Sequence, residues 1–148
     1  MNPETAAGPP VVVLDTNTVL DWLVFADPRV QALAQAVEGG QLCWVACAPM
    51  RQELGHMLAH TSLARWSPDA AAALVLFDRL AVPRDTPTIN PAIGLRCSDR
   101  DDQVFLDLAL AERALWLLTH DRALLKLARR AARHGLRIAR PGDWTPQT

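Results

Sequence analysis

The chain has 148 residues, half of them hydrophobic, and a net charge of −1. This is the size of one compact domain with enough apolar material for a real core, and no apolar run approaches bilayer-spanning length, which excludes a helical membrane protein. The near-zero charge conceals a polarity: residues 1–110 carry 7 basic and 13 acidic side chains, and residues 111–148 carry 8 and 3, which permits a cation site toward one end and an anionic partner at the other.

Residues 1–10, MNPETAAGPP, lack the basic and apolar regions of a signal peptide and are expected to form a short tail before a single domain over 11–144. VVVL (11–14) reads as a buried strand. Asp27-Pro28 starts a helix with Val30, Leu33, Ala34 and Val37 at helical spacing, and Gly39-Gly40 closes it. LCWVAC (42–47) is a second strand. Pro49 opens a helix to about His60, and Ser67-Pro68-Asp69 caps another to about Leu80. Residues 82–96, with Pro83, Pro87, Pro91 and Gly94, read as an extended loop. Ser98 to about Arg113 is predicted helix, LWLLT (115–119) strand, Asp121–His134 helix closed by Gly135, and LRIA (136–139) strand. Strands that are uninterrupted apolar runs, alternating with helices, predict an α/β fold with a mostly parallel central sheet covered on both faces. Cys43, Cys47 and Cys97 are too few for a disulfide framework and wrongly spaced for zinc, so free thiols in a reducing cytoplasm are expected.

In such sheets, sites lie beyond the carboxyl ends of the strands. Asp15 directly follows the first strand, and Asp121 follows LWLLT by one residue. If those strands are parallel neighbours, two carboxylates meet at one rim. A second acidic group stands in SDRDDQ (98–103). Here Ser98 can N-cap the helix with Asp101 in a capping-box role, and Asp99, Asp101 and Asp102 suit the positive end of its dipole. Yet three acids in one turn exceed what a cap needs: a pair about 4 Å apart costs roughly 4 kcal/mol at an effective dielectric of about 20, which a divalent cation relieves. Glu53 flanks the inward face formed by Met50, Leu54, Met57 and Leu58, where a carboxylate must be paired, metal-bound or only partly buried. The four histidines make no ligand pattern. An all-oxygen site of this kind suits Mg²⁺ or Mn²⁺.

The order VLDTN…E…DxxD…THD resembles the PIN-domain nucleases, particularly their branch of toxin components of type II toxin–antitoxin modules. The first acid matches in VVVLDTNTVLDW, the second in APMRQELGHML, and the third and fourth in SDRDDQVFLDLALAERALWLLTHDRALL. GLRIARPGDW is similar to the family's terminal strand and its exit. The likeness covers nearly the whole chain and departs at the proline-containing loop 82–96. It implies a PIN-like three-layer α/β/α sandwich and a metal-dependent endoribonuclease. Asp15, Glu53, Asp102 and Asp121 are then the catalytic acids, and Asp15, Asp99, Asp102 and Asp121 the ligands of one or two Mg²⁺ or Mn²⁺ ions. Asn17 and Thr119 are supporting hydrogen-bond partners, with Thr16 and Thr18 weaker candidates that also suit simple packing. A cognate antitoxin protein and a homodimer are the partners implied.

Arg122, Lys126, Arg129 and Arg133 recur on one face of the predicted helix 121–134, opposite Leu124, Leu125, Ala128 and Ala132. The stripe is either a solvated helix face or a track for RNA phosphates. Five tryptophans (22, 44, 66, 116, 144) are candidates for base stacking, although Trp44 and Trp116 lie in predicted strands and suit the core, and Trp22 suits a dimer surface. Two other readings compete. A haloacid-dehalogenase-like phosphatase also begins with a strand ending in Asp, but this chain has Asn17 where that motif needs a second Asp. A catalytically inactive PIN-like scaffold that only binds RNA or protein is the third.

Overall fold

The computed structural model describes residues 8–66, 68–88 and 94–146. Five strands form one all-parallel sheet in the order β3-β2-β1-β4-β5, flanked by helices as a three-layer α/β/α sandwich. The strands are β1 (Val11–Leu14), β2 (Cys43–Ala46), β3 (Val82–Pro83), β4 (Trp116–Leu118) and β5 (Arg137–Ala139). Val12, Val13, Val45, Leu117 and Leu118 have no exposed surface. That is why the central strands are written as continuous apolar runs. Among the described residues no helix is long and apolar enough to cross a membrane.

The chain runs outward from β1 to β2 and β3, then returns to place β4 and β5 on the other side of β1. The order therefore reverses between β1 and β4, the place where such sheets open a crevice at their carboxyl ends. The pairing Leu14↔Leu118 then sets Asp15 beside Thr119.

Several predicted elements are corrected by packing. The sequence pattern predicts no helix directly after β1, yet α1 (Thr16–Leu23) starts there. Asp15 is its N-cap and accepts from the Thr18 N–H at 2.8 Å, so a carboxylate replaces the glycine turn that the strand end lacks. After a 3₁₀ turn at Pro28–Val30 come α2 (Gln31–Glu38), α3 (Ala48–Leu58) and α4 (Ala70–Leu80). Asp69 caps α4 through Ala72 N at 3.0 Å; Ser67, expected to share that role, lies outside the described residues, as do residues 1–7 of the tail and Pro91 of the loop. Within the predicted loop 82–96, Val82 and Pro83 form edge strand β3, where a proline's missing N–H faces away from the ladder.

The expected helix from Ser98 is also redrawn. Asp99, not Ser98, caps a 3₁₀ turn at Arg100–Asp102 by accepting from Asp101 N at 3.0 Å, and α5 (Gln103–Ala111) follows. An aspartate reaching two residues ahead favours the tighter turn over a capping box. The helix predicted over 121–134 is two pieces, α6 (Arg122–Leu125) and α7 (Ala128–Ala132). Its buried side chains are Leu124, Leu127 and Ala131, while Leu125 and Ala128 are half-buried and Ala132 is exposed. Leu127 turns into the core and breaks the regular period. Gly135, at φ +79°, closes the segment as expected. Trp44 and Trp144 are buried, Trp22 and Trp116 half-buried, and Trp66 is exposed.

Candidate active site

Asp15 is only 4 % exposed. Its Oδ1 accepts from Thr18 N at 2.8 Å, and its Oδ2 accepts from the Thr119 hydroxyl at 2.6 Å and the His120 N–H at 3.1 Å. Thr119 is fully buried and in turn accepts from Asp121 N at 2.9 Å. One hydroxyl thus joins the exits of β1 and β4. The His120 ring meets Asp21 Oδ2 of α1 through Nε2 at 2.6 Å. Composition and spacing give no sign of that pair, although His120 sits inside the THD motif.

Asp121 caps α6, its Oδ1 accepting from Ala123 N at 2.9 Å. Its Oδ2 is buried and has no hydrogen-bond partner among the described residues. A buried carboxylate oxygen without a donor is costly and calls for one. Asp99, Asp102 and Asp121 each bring an oxygen within 4.8 Å of the other two. Three carboxylates at that separation, one with an orphaned oxygen, are a donor set that fits a hard divalent cation.

Glu53 projects from α3, half-buried, and accepts from the Thr16 hydroxyl at 2.9 Å. Burial holds its carboxyl above the usual range; the Thr16 bond opposes this, and the charges of Asp101, Asp15 and Asp99 add to it. Thr16, only a weak candidate in the sequence, therefore has a definite partner. A raised folded-state pKa means that the native protein keeps a proton which the unfolded chain has released above about pH 4.3. The resulting stability is full below that pH and is lost as pH rises through the folded value. In metal-free protein, Glu53→Gln is therefore expected to gain in melting temperature relative to wild type as pH is raised from 4 toward 7. Thermal scans in chelator across that range test it, and a constant difference between the two proteins refutes it.

These groups share one open cleft of about 520 Å³ at the carboxyl ends of β1 and β4. It is lined by Asp15, Asn17, Glu53, Asp99, Asp102 and Asp121, and also by Asp101 and Arg122. Met57 and Phe105 add apolar wall, and Thr16 and His120 complete the rim. Asn17 is exposed there. Of the basic stripe, only Arg122 reaches the cleft; Lys126, Arg129 and Arg133 are exposed on α6, α7 and the residues at their ends.

The family model described as PIN domain matches residues 11–123. Among solved structures the chain is similar to VapBC2 from Rickettsia felis, which was crystallised bound to a DNA fragment from their promoter. The TM-score is 0.59 at 15% identity, covering 86% of this chain and 96% of that chain, a likeness of fold. No curated protein sequence matches. The matched span contains β1, β2, β4 and every acid of the cleft. The chain belongs to the PIN-domain family, whose members are in general nucleases that use divalent metals.

Proposed function

We propose that the protein is a Mg²⁺- or Mn²⁺-dependent endoribonuclease and the toxin of a type II toxin–antitoxin module. The observation that carries this reading is the convergence of Asp15, Glu53, Asp99, Asp102 and Asp121 on one cleft, with Asp121 Oδ2 buried and unpartnered. Asp99, Asp102 and Asp121 would hold the ion, with Asp15 beside them. When bound, the ion lowers the pKa of a water and stabilises charge on the phosphate. Asp15, gripped by three donors, is held in one orientation by Thr119, Thr18 and His120. Glu53, held by Thr16 and with its proton affinity raised, is suited to take a proton from the attacking water. Arg122 at the cleft edge would orient the RNA phosphate, and Lys126, Arg129 and Arg133 would track the backbone beyond it.

The phosphatase reading needs a second aspartate two residues after Asp15, where this chain has the exposed Asn17. The toxin assignment is supported by the sequence resemblance and by the fold likeness to VapBC2. It carries with it a cognate antitoxin protein, a homodimer and a cytoplasmic location.

Purified protein is expected to cleave single-stranded RNA with Mn²⁺ or Mg²⁺, to stop in EDTA, and to leave 5′-phosphates that a ligation assay captures. RNA bound but not cut across a broad library would favour the inactive scaffold. Changing Arg122, Lys126, Arg129 and Arg133 together to Ala should flatten the salt dependence of RNA affinity, by up to roughly 0.7 log units per log salt for each phosphate no longer neutralised. Turnover at saturating RNA should change less. An unaltered salt slope would leave the stripe as a solvated face.

A further inference from the structure

Gln103, the first residue of α5, carries no charge and does not line the cleft, yet both ends of its amide are engaged. Oε1 accepts from Cys97 N at 2.6 Å. Nε2 donates to Leu95 O at 3.1 Å and to Asp107 Oδ1 at 2.9 Å. Residues 95–97 have no helix or strand of their own, but Leu95 and Cys97 are buried. Their backbone groups must find partners, and Gln103 supplies two. Asp107 takes one amide hydrogen, which defines the nitrogen end of the side chain and turns Oε1 toward Cys97.

The clamp sits at both ends of the acidic turn. Cys97 is two residues before Asp99, and Gln103 directly follows Asp102. Among the described residues, no ion pair reaches Asp99, Asp101 or Asp102. Their mutual repulsion, and that of Asp121, works to spread them, and the turn holding them is a single 3₁₀ turn. We infer that Gln103, oriented by Asp107, is a positioning residue for the metal site: by tying residues 95–97 to α5 it sets Asp99 and Asp102 at the spacing that faces Asp121. This inference rests on the metal-dependent reading above.

The test is Mn²⁺ binding to the full chain by titration calorimetry. Gln103→Met keeps length and neutrality and removes all three bonds. Gln103→Glu keeps the acceptor for Cys97, loses both donors and faces Asp107. Both are expected to weaken Mn²⁺ binding by about 10- to 100-fold. For Gln103→Glu this runs against the gain that an added negative charge alone would give. Cleavage at low Mn²⁺ should fall in proportion and recover at saturating Mn²⁺, with KM for RNA unchanged. A purely structural role would lower the melting temperature and leave the Mn²⁺ affinity alone, and that result overturns the inference. So does a loss of cleavage that saturating Mn²⁺ fails to restore. Should Gln103→Met not fold, Gln103→Glu decides by the same affinity. A wild type that takes up no Mn²⁺ overturns both this inference and the ribonuclease reading; wild-type uptake with unchanged variants overturns this one alone.

Discussion

Asp15→Asn is expected to destabilise the metal-free protein by about 2–4 kcal/mol. The crowding of acids, read from sequence alone, argues the opposite: one charge fewer should relieve repulsion and raise the melting temperature. The hydrogen bonds reverse that sign. The Asp15 carboxylate serves three donors from α1 and from the exit of β4. An asparagine has one acceptor oxygen. If that oxygen caps Thr18, the amide nitrogen faces the His120 N–H and the Thr119 hydroxyl, donor against donor. Turning the Thr119 hydroxyl offers its second lone pair to the amide beside the bond from Asp121 N, but the His120 N–H still faces a donor. At about 2–4 °C per kcal/mol for a domain near this size, the midpoint should drop by roughly 5–15 °C. Calorimetry in EDTA at neutral pH measures it. A variant melting at or above wild type would mean that repulsion, not capping, governs this residue.

Asp121→Asn should separate chemistry from folding. Its Oδ1 caps α6 through Ala123 N, and an asparagine oxygen can keep that bond. Its Oδ2 has no partner, so replacing it by an amide nitrogen breaks nothing in the metal-free protein. The metal-free melting temperature should therefore stay close to that of wild type. RNA cleavage should fall by more than the about 10- to 100-fold typical of losing a group that only orients a metal ligand. A cation at one hundred times its dissociation constant adds roughly 2.7 kcal/mol to the native state. Wild type should then melt about 5–10 °C higher in saturating Mn²⁺, and Asp121→Asn should lose most of that shift. An undiminished shift in the variant would remove Asp121 from the ligand set. Together the two expected results would give Asp15 a scaffolding role, beside its place among the catalytic acids, that Asp121 does not share, although both follow neighbouring strands of one sheet.

Much of the fold is legible in the chain. VVVL, LCWVAC and LWLL have the unbroken apolar character that a strand buried on both faces requires, LRIA at the sheet edge carries the exposed Arg137, and the parallel α/β architecture follows from the alternation of these strands with helices. Asp15 and Asp121 can be placed at strand exits because each closely follows an apolar run, and both also cap the helix that follows. The details of the acidic turn are less legible. Serine and aspartate are both good caps, and only the realised geometry selects Asp99 over Ser98. The helix at residues 16–23 escapes sequence reading because its first turn is Thr-Asn-Thr, which has low helix propensity; burial of Val19 and Leu20 outweighs it. The break between α6 and α7 is invisible because Leu124, Leu125, Leu127 and Ala128 permit two different apolar faces, and only the shape of the core chooses between them.

What the sequence determined by itself is local and compositional: the strands as apolar runs, most of the helices as amphipathic or capped segments, and the acids as groups too crowded to serve only as caps. Those properties depend on residues within a few positions of each other. The tertiary structure alone decided which donors each acid meets. Thr119 reaches Asp15 across 104 positions, Thr16 reaches Glu53 across 37, and Asp121 keeps one oxygen bare. Hydrogen bonds form over about 3 Å, a precision that no periodicity in the chain encodes; the register of β1 against β4 imposes it on Thr119 and Asp15, and the packing of α1 against α3 on Thr16 and Glu53.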